Sequence, residues 1–212
     1  MRLLIAIPNY DAMRPEFVRS LLELTEKLHR DNVDFEVRIA TGTLAHVARD
    51  RLAKIAVNNH FDQVLWIDDD MVFDGHLYED LSIHGKDIIC GNFISRHYPY
   101  VSCFFKSLDP IERFSGEIPD DIFRVAACGF GAVLMKTQVL KDVMNNHKGQ
   151  CFLPDPKMGE DVAFCHRAAG CGYEIWCDPT VRVGHVGNLI IWPEDAEKLR
   201  GDIQNLDGKK ID

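Results

Sequence analysis

The feature that most constrains this chain is a short apolar run, within residues 63–72, that ends in three consecutive carboxylates. Residues 64–67 are the size of one buried strand, and Asp68, Asp69 and Asp70 follow directly. Burying ionised carboxylates is costly unless they are paired or bound to a metal. Because an extended chain points successive side chains to opposite sides, Asp68 and Asp70 are expected to face the same way. The stretch therefore predicts a site for Mg²⁺ or Mn²⁺, with a solvated acidic turn or a helix cap as the alternative.

The first 72 residues alternate between strand and helix patterns. Apolar runs at 2–7, 35–39 and 64–67 predict strands, and helical spacing predicts helices from Pro15 and from about residue 44. This β-α-β-α-β alternation predicts an α/β fold with three layers, α/β/α, around a mainly parallel, doubly wound sheet. Ligands of such sheets bind beyond the carboxyl ends of the strands, where the three aspartates would lie.

The remaining sequence predicts shorter elements. We expect helices at 74–82, 137–146 and from 158–161 to Gly170 or Gly172, and strands at 87–93, 100–106, 174–177 and 180–183. Residues 107–124 show little periodicity and read as a loop, and the glycines within 125–135 indicate a bulge or a close backbone approach. We expect a single domain over 1–192, followed by a helix and a frayed tail over 193–212.

Composition narrows the classes of partner. The net charge of −9 argues against a general affinity for nucleic acid or an anionic membrane. No apolar stretch approaches the ~20 residues of a membrane span, and the first residues do not read as a signal peptide. Seven cysteines without a CxxC pair favour reduced thiols, and we expect a cytoplasmic location.

The order of several motifs resembles that of the GT-A nucleotide-sugar glycosyltransferases, particularly the family-2-like members. The motifs span roughly residues 1–187 and are Pro8-Asn9-Tyr10, Ala48-Arg49-Asp50, Asp68-Asp69-Asp70, the stretch 128–134, Gly159-Glu160-Asp161 and the late His185. The resemblance implies a metal-dependent enzyme that moves a single sugar from a UDP- or GDP-sugar donor to a hydroxyl acceptor.

The resemblance also implies roles for individual residues. Asp68, Asp70 and His185 would hold Mn²⁺ or Mg²⁺, and Asp161 would be the general base, unless it only caps its helix. Tyr10 would stack on a base or merely cover the core edge, and Arg49 would reach a phosphate or pair with a buried carboxylate. The implied binding residues are Pro8, Tyr10, Asp11, Arg49, Asp68, Asp69 and Gly129, with Gly129 on the acceptor side.

Two other functions stay open at the level of sequence. Clustered aspartates at strand ends also build metal-dependent phosphohydrolases and nucleases, although the first strand here ends in Pro-Asn-Tyr rather than in a DxD motif. A domain that binds sugar nucleotides without turnover would keep the same motifs. The sequence has no QxxRW-type motif, which disfavours a processive polysaccharide synthase.

Overall fold

The computed structural model describes residues 1–114, 118–187 and 190–192. The helix and tail expected over 193–212 lie outside these residues. The helices are α1 (Pro15–Arg30), α2 (Ala45–Asn58), α3 (Leu77–Ser82), α4 (Thr137–Asn146) and α5 (Glu160–Gly170). The strands are β1 (Arg2–Pro8), β2 (Asp34–Ala40), β3 (Gln63–Ile67), β4 (Met71–Val72), β5 (Ile88–Asn92), β6 (Phe104–Leu108), β7 (Ile111–Arg113), β8 (Phe123–Val125), β9 (Ala127–Cys128), β10 (Ala132–Lys136), β11 (Ile175–Arg182), β12 (Gly184–Val186) and β13 (Ile190–Ile191).

The central sheet is mostly parallel. Its strand order in the described residues is β2-β1-β3-β10-β5-β11-β8. Strand β1 pairs in parallel with β2 and β3, and β5 pairs in parallel with β11. Strand β10 is antiparallel to β3 and β5, and β8 is antiparallel to β11. The predicted α/β fold with a mainly parallel sheet is confirmed.

Helices cover both faces of this sheet because alternate residues of its strands point to opposite sides. Leu3, Ile5 and Ile7 of β1 face the helices α1 and α3 in one buried cluster. Leu4 and Ala6 face the other way, into a cluster that includes residues of α2, α4 and α5. The three-layer α/β/α arrangement is therefore present, with one apolar core on each side of the sheet.

The ends of two helices show how the local sequence determines where a helix begins and ends. Helix α1 begins at Pro15, whose fixed φ suits the first helical position and whose missing N–H needs no partner there. Helix α5 begins after Gly159 and carries Glu160 and Asp161 in its first turn, where the helix dipole favours negative charge. It ends at Gly170, and Gly172 follows with φ +90°.

Three local predictions were wrong. The segment 107–124 contains β7 and the start of β8. Nearby, the rings of Phe104, Phe114 and Phe123 pack together with centroids 5.1–5.6 Å apart. Local periodicity does not show such contacts between separate strands. The strand expected at 100–106 begins only at Phe104. The two strands expected at 174–177 and 180–183 are the single strand β11, whose pairing with β5 shifts register between Cys177 and Arg182.

Within residues 1–114, 118–187 and 190–192, no helix is both long and apolar enough to cross a membrane.

Candidate active site at the carboxyl end of the sheet

The sheet topology brings the sequence motifs to one edge. Strands β1 and β3 are parallel, so the residues after Pro8 and after Ile67 emerge on the same side. Strand β10 runs antiparallel to β3, and its first residue, Ala132, pairs with Ile67. The segment 129–131 that precedes β10 therefore reaches the same edge, and the amide of Asp68 donates a hydrogen bond to the carbonyl of Gly131 at 3.3 Å.

The three aspartates do not share one direction. Strand β3 ends at Ile67, and the amide of Met71 donates to the carbonyl of Asp68 at 3.3 Å, which closes a turn over residues 69–70. The alternation of an extended strand therefore stops before Asp70. Each of the three carboxylates contacts a different partner.

Asp68 is paired with a buried arginine. Arg49 on α2 is only 4% exposed, and its Nη2 donates to Asp68 Oδ1 at 2.7 Å. Its Nη1 donates to Glu160 at the start of α5, and its guanidinium lies 5.4 Å from the centre of the Phe130 ring. Of the two roles that the sequence left open for Arg49, the structure shows the pairing with a carboxylate. Burial raises the pKa of Asp68, Asp70 raises it further, and the charge of Arg49 opposes both.

Asp69 turns toward the end of β1. The side-chain amide of Asn9, which is 5% exposed, donates to Asp69 Oδ2 at 2.5 Å. Burial raises the pKa of Asp69, while the hydrogen bond from Asn9 lowers it. The sequence motif Pro8-Asn9-Tyr10 pointed to this loop, but it did not identify Asn9 as the residue that fixes the middle aspartate.

Asp70 meets the late histidine because of a small second sheet. Strand β12 pairs antiparallel with β4, which places His185 opposite Met71. As a result, His185 Nε2 lies 3.3 Å from Asp70 Oδ2. The guanidinium of Arg96 contacts the same carboxylate. Burial acts to raise the pKa of Asp70, but His185 and Arg96 outweigh it and lower the pKa. Burial acts to lower the pKa of His185, and Asp70 reverses that and raises it.

One proton of the His185 ring can be assigned from its second contact. Its Nδ1 lies 2.9 Å from the carbonyl oxygen of Ile94. A carbonyl only accepts hydrogen bonds, so Nδ1 carries a proton and Nε2 is the nitrogen that faces Asp70. A histidine that donates from one ring nitrogen to a backbone carbonyl is typical of metal ligands, because the bond fixes the ring and leaves the other nitrogen for the ion.

The metal prediction fits these residues only in part. Among residues 1–114, 118–187 and 190–192, no group of three or more His, Cys, Asp or Glu side chains is arranged to hold a metal ion. Asp68 turns to Arg49, so the expected set of Asp68, Asp70 and His185 is not assembled. Asp70 and His185 do converge, and a carboxylate oxygen with an imidazole nitrogen is a suitable donor pair for Mn²⁺.

Asp161 occupies the first turn of α5. Its Oδ1 accepts a hydrogen bond from the amide of Val162 at 2.7 Å. Its Oδ2 lies beside Gly129, since a Cβ added to Gly129 would be 3.5 Å from that oxygen. Burial raises the pKa of Asp161, with Glu160 adding to the effect and Arg49 opposing it. One oxygen is therefore held by the helix, and the other faces a glycine-lined cleft.

Two cavities meet at Asp68. A larger cleft of about 560 Å³ is lined by Asp68, Gly129, Asp161 and His185, among others. A smaller pocket of about 220 Å³ is lined by all three aspartates together with Pro8, Asn9, Tyr10, Thr43, Ala45, Arg49 and Glu160. A third recess, of about 330 Å³, adds Asp11 and Arg96 to Tyr10, Asp69 and Asp70. Every residue selected from the sequence thus lines one of three neighbouring cavities that share lining residues, and Gly129 lies in the same cavity as Asp161.

Several residues that line the cavities had been given no role from the sequence. Glu160 fixes Arg49, and Thr43, Arg113 and Lys157 line the cavities. Glu160 lies in a recognised motif and was within reach of sequence reasoning. Arg113 was not, because it belongs to β7 in the segment that reads as a loop.

Comparisons with known proteins show the fold. No protein-family model matches this chain, and no curated protein sequence matches it. The structure of A197 from STIV matches with a TM-score of 0.62 and 20% identity over 92% of this chain and 91% of that one. The catalytic domain of Drosophila beta1,4-galactosyltransferase 7, solved with xylobiose, matches with a TM-score of 0.50 and 12% identity. That alignment covers 84% of this chain and 64% of the Drosophila chain. This protein accordingly shares the α/β fold of these two structures.

Proposed function

We propose that this protein is a metal-dependent glycosyltransferase that moves a single sugar from a UDP- or GDP-sugar to a hydroxyl acceptor. The observation that carries the proposal is the meeting of two cavities at Asp68, with a metal-competent pair of side chains beside it and a buried carboxylate in the larger cleft. A group transfer needs two substrates held together at one point, and this arrangement offers a separate space for each.

On the donor side, the smaller pocket would hold the nucleotide. Tyr10 is 74% exposed at its rim, free to lie against a nucleobase, and Asn9 keeps Asp69 directed into the pocket. Asp70 and His185 would hold the Mn²⁺ or Mg²⁺ ion, which neutralises the charge of a departing diphosphate. Arg96, whose guanidinium contacts Asp70, would also contact this diphosphate.

On the acceptor side, Asp161 would accept the proton of the attacking hydroxyl. Its raised pKa brings it nearer to the working pH of a general base, and its free oxygen faces the cleft. Gly129 leaves room beside that oxygen. The Drosophila domain that shares the fold is named as a galactosyltransferase and was solved with a disaccharide, which is in keeping with a sugar donor and a sugar-like acceptor here.

The donor assignment is tested by thermal shift with UDP, GDP and their sugar conjugates, each with and without Mn²⁺. Ligand bound only to the native state raises the melting temperature, by the equivalent of about 2.7 kcal/mol at a hundred times Kd. We expect stabilisation by one nucleotide diphosphate that grows with Mn²⁺. Asp70→Ala should abolish the contribution of Mn²⁺, and Asp120→Asn, at an exposed position outside the cavities, should not.

Three outcomes would redirect the proposal. Mn²⁺-assisted binding that survives Asp70→Ala would show that the metal site is misassigned. Steady release of phosphate from simple esters without a sugar donor would favour a phosphohydrolase. Donor binding by the wild type with no hydrolysis or transfer would favour a non-catalytic binding domain.

A further inference from the structure

The larger cleft carries two cations that the roles proposed above do not use. Arg113 and Lys157 line it together with Asp161. The other arginines of the site, Arg49 and Arg96, are both engaged with carboxylates. Within the part of the chain that the structure describes, neither Arg113 nor Lys157 forms an ion pair, although acidic residues outnumber basic ones by 33 to 24 over the whole sequence. Two cationic side chains therefore line this cleft, together with the carboxylates of Asp68 and Asp161.

Arg113 is held in a defined position. Its Nη1 donates a hydrogen bond to the carbonyl of Ser102 at 2.9 Å, and its guanidinium lies 4.6 Å from the centre of the Phe105 ring. Strand β7, which carries it, pairs with β6. A guanidinium fixed at one nitrogen and stacked on one face still has donors for a further ligand. Less conformational entropy is lost when such a preorganised group binds an anion.

Lys157 is presented by a closed turn. Asp155 and Met158 exchange two backbone hydrogen bonds of 3.1 Å, and Asp155 Oδ1 accepts from the amide of Lys157 at 3.0 Å. The side chain is exposed at the cleft. This turn leads directly into Gly159 and helix α5, so the ammonium group and the carboxylate of Asp161 are carried by one short segment.

The wall of the same cleft also contains apolar side chains. Phe93, Phe105, Ile111, Met158 and Val162 contribute to it. Ile111 is 49% exposed, so its side chain is accessible to a ligand in the cleft. A volume of about 560 Å³ is within the range of small-molecule sites.

We propose that this cleft selects an acceptor with an anionic group, either a phosphate or a carboxylate, on a body with an apolar face. The anion would lie between Arg113 and Lys157, the apolar face against Phe105 and Ile111, and the reactive hydroxyl at Asp161. Such an acceptor has the chemistry of a sugar phosphate or a uronic acid. The role of acceptor rests on the proposed function, whereas the binding preference of the cleft does not.

The test measures binding by calorimetry with glucose 6-phosphate, glucuronate, glucose and inorganic phosphate, without nucleotide. We expect one of the two anionic sugars to bind at least about tenfold tighter than glucose, as one charge-assisted interaction provides. The Arg113→Gln/Lys157→Gln double variant should lose at least about that factor for the anionic sugar and nothing for glucose. Arg51→Gln/Lys54→Gln, which removes two exposed charges from α2, is the matched control.

Whichever sugar binds identifies the anion, because phosphate and carboxylate are probed separately. Equal affinity for glucose and both anionic sugars, or an equal loss in the double variant and the control, would overturn the proposal. Inorganic phosphate binding as tightly as glucose 6-phosphate would also overturn it, since the apolar wall would then contribute nothing. UDP and Mn²⁺ titrated into the same variants report on the donor pocket, so failure of the donor assignment is seen separately.

Discussion

Burial gives Asp161 properties that an exposed aspartate lacks. Its pKa is raised mainly because the ionised form loses hydration in the cleft, and Glu160 adds repulsion. The neighbouring Glu160 is instead paired with Arg49. Two adjacent acids of one helical turn thus have different surroundings: Glu160 is paired with Arg49, and Asp161 is the acid proposed here as the general base.

The raised pKa of Asp161 leads to a prediction about sugar transfer. Asp161→Asn should lower sugar transfer by about 10²–10⁴-fold, the usual contribution of a general base, while donor binding stays unchanged. In the wild type, transfer should fall as the pH drops through the raised pKa of Asp161, so the acid limb should lie above the ordinary value of ~3.9. The measurements are initial rates against pH and titration of the nucleotide.

The raised pKa of Asp161 also affects the stability of the folded protein. Because the folded pKa is raised, the proton is bound more tightly in the folded state, and the ionised form destabilises the fold above that pKa. Asp161→Asn should therefore raise the free energy of unfolding at neutral pH, with a gain that disappears below the unfolded pKa. Asp121→Asn, at an exposed position, serves as the control for both readouts. Full transfer activity in Asp161→Asn would exclude Asp161 as the base.

At the scale of elements, the segment between β9 and β10 shows why glycine occurs there. A Cβ on Gly131 would lie 2.8 Å from Met71 Cε and 2.9 Å from Phe93 Cε2. Phe93 is buried and meets His185 edge to face, with ring centres 6.4 Å apart. The sequence prediction that these glycines mark a close approach is confirmed, although the close neighbours are side chains.

The close packing around Gly131 leads to a prediction about stability. Gly131→Ala should destabilise the protein by about 1–3 kcal/mol, the cost of overpacking, because Phe93 and Met71 must both shift. Gly170→Ala is the matched control, since an added Cβ there meets nothing within 4 Å. Urea unfolding measures both variants. An unchanged midpoint in Gly131→Ala would mean that the ring moves without cost.

At the scale of the whole molecule, Arg49 joins parts of the chain that are far apart in sequence. It connects α2 to Asp68 after β3 and to Glu160 at the start of α5, 111 residues away. Removing one partner of a buried ionic group leaves the others without compensation, and this usually costs more than the net stabilisation by the intact pair. The smaller pocket and the larger cleft therefore both depend on the same guanidinium, through Asp68 and the start of α5.

The prediction for the whole molecule is that Arg49→Met lowers the free energy of unfolding by about 3 kcal/mol. Arg51→Met, on the exposed side of the same helix, should change it by less than about 0.5 kcal/mol. A double-mutant cycle with Glu160→Gln, followed by urea unfolding, should give a coupling of about 0.5–3 kcal/mol. Additive effects would show that Arg49 and Glu160 contribute independently.

Much of the architecture could be predicted from sequence because it depends on local periodicity. The parallel strands β1, β2 and β3 and the helices between them follow from apolar spacing, Pro15 and the turn residues. The same periodicity placed Asp68 at a strand end. It failed at β7 and β8, which pair with β6 and β11 and lie beside contacts of Phe123 with Phe104 and Phe114.

By itself, the sequence determined the α/β class, the order of the motifs and which carboxylates follow the third strand, because each depends on neighbouring residues. Only the tertiary structure decided that Asp68 pairs with Arg49 while Asp70 faces His185, and that Arg113 and Lys157 share a cleft with Asp161. Those contacts join residues from separate strands and loops. Their geometry is set by strand pairing and by the turn at residues 69–70, which no local pattern specifies.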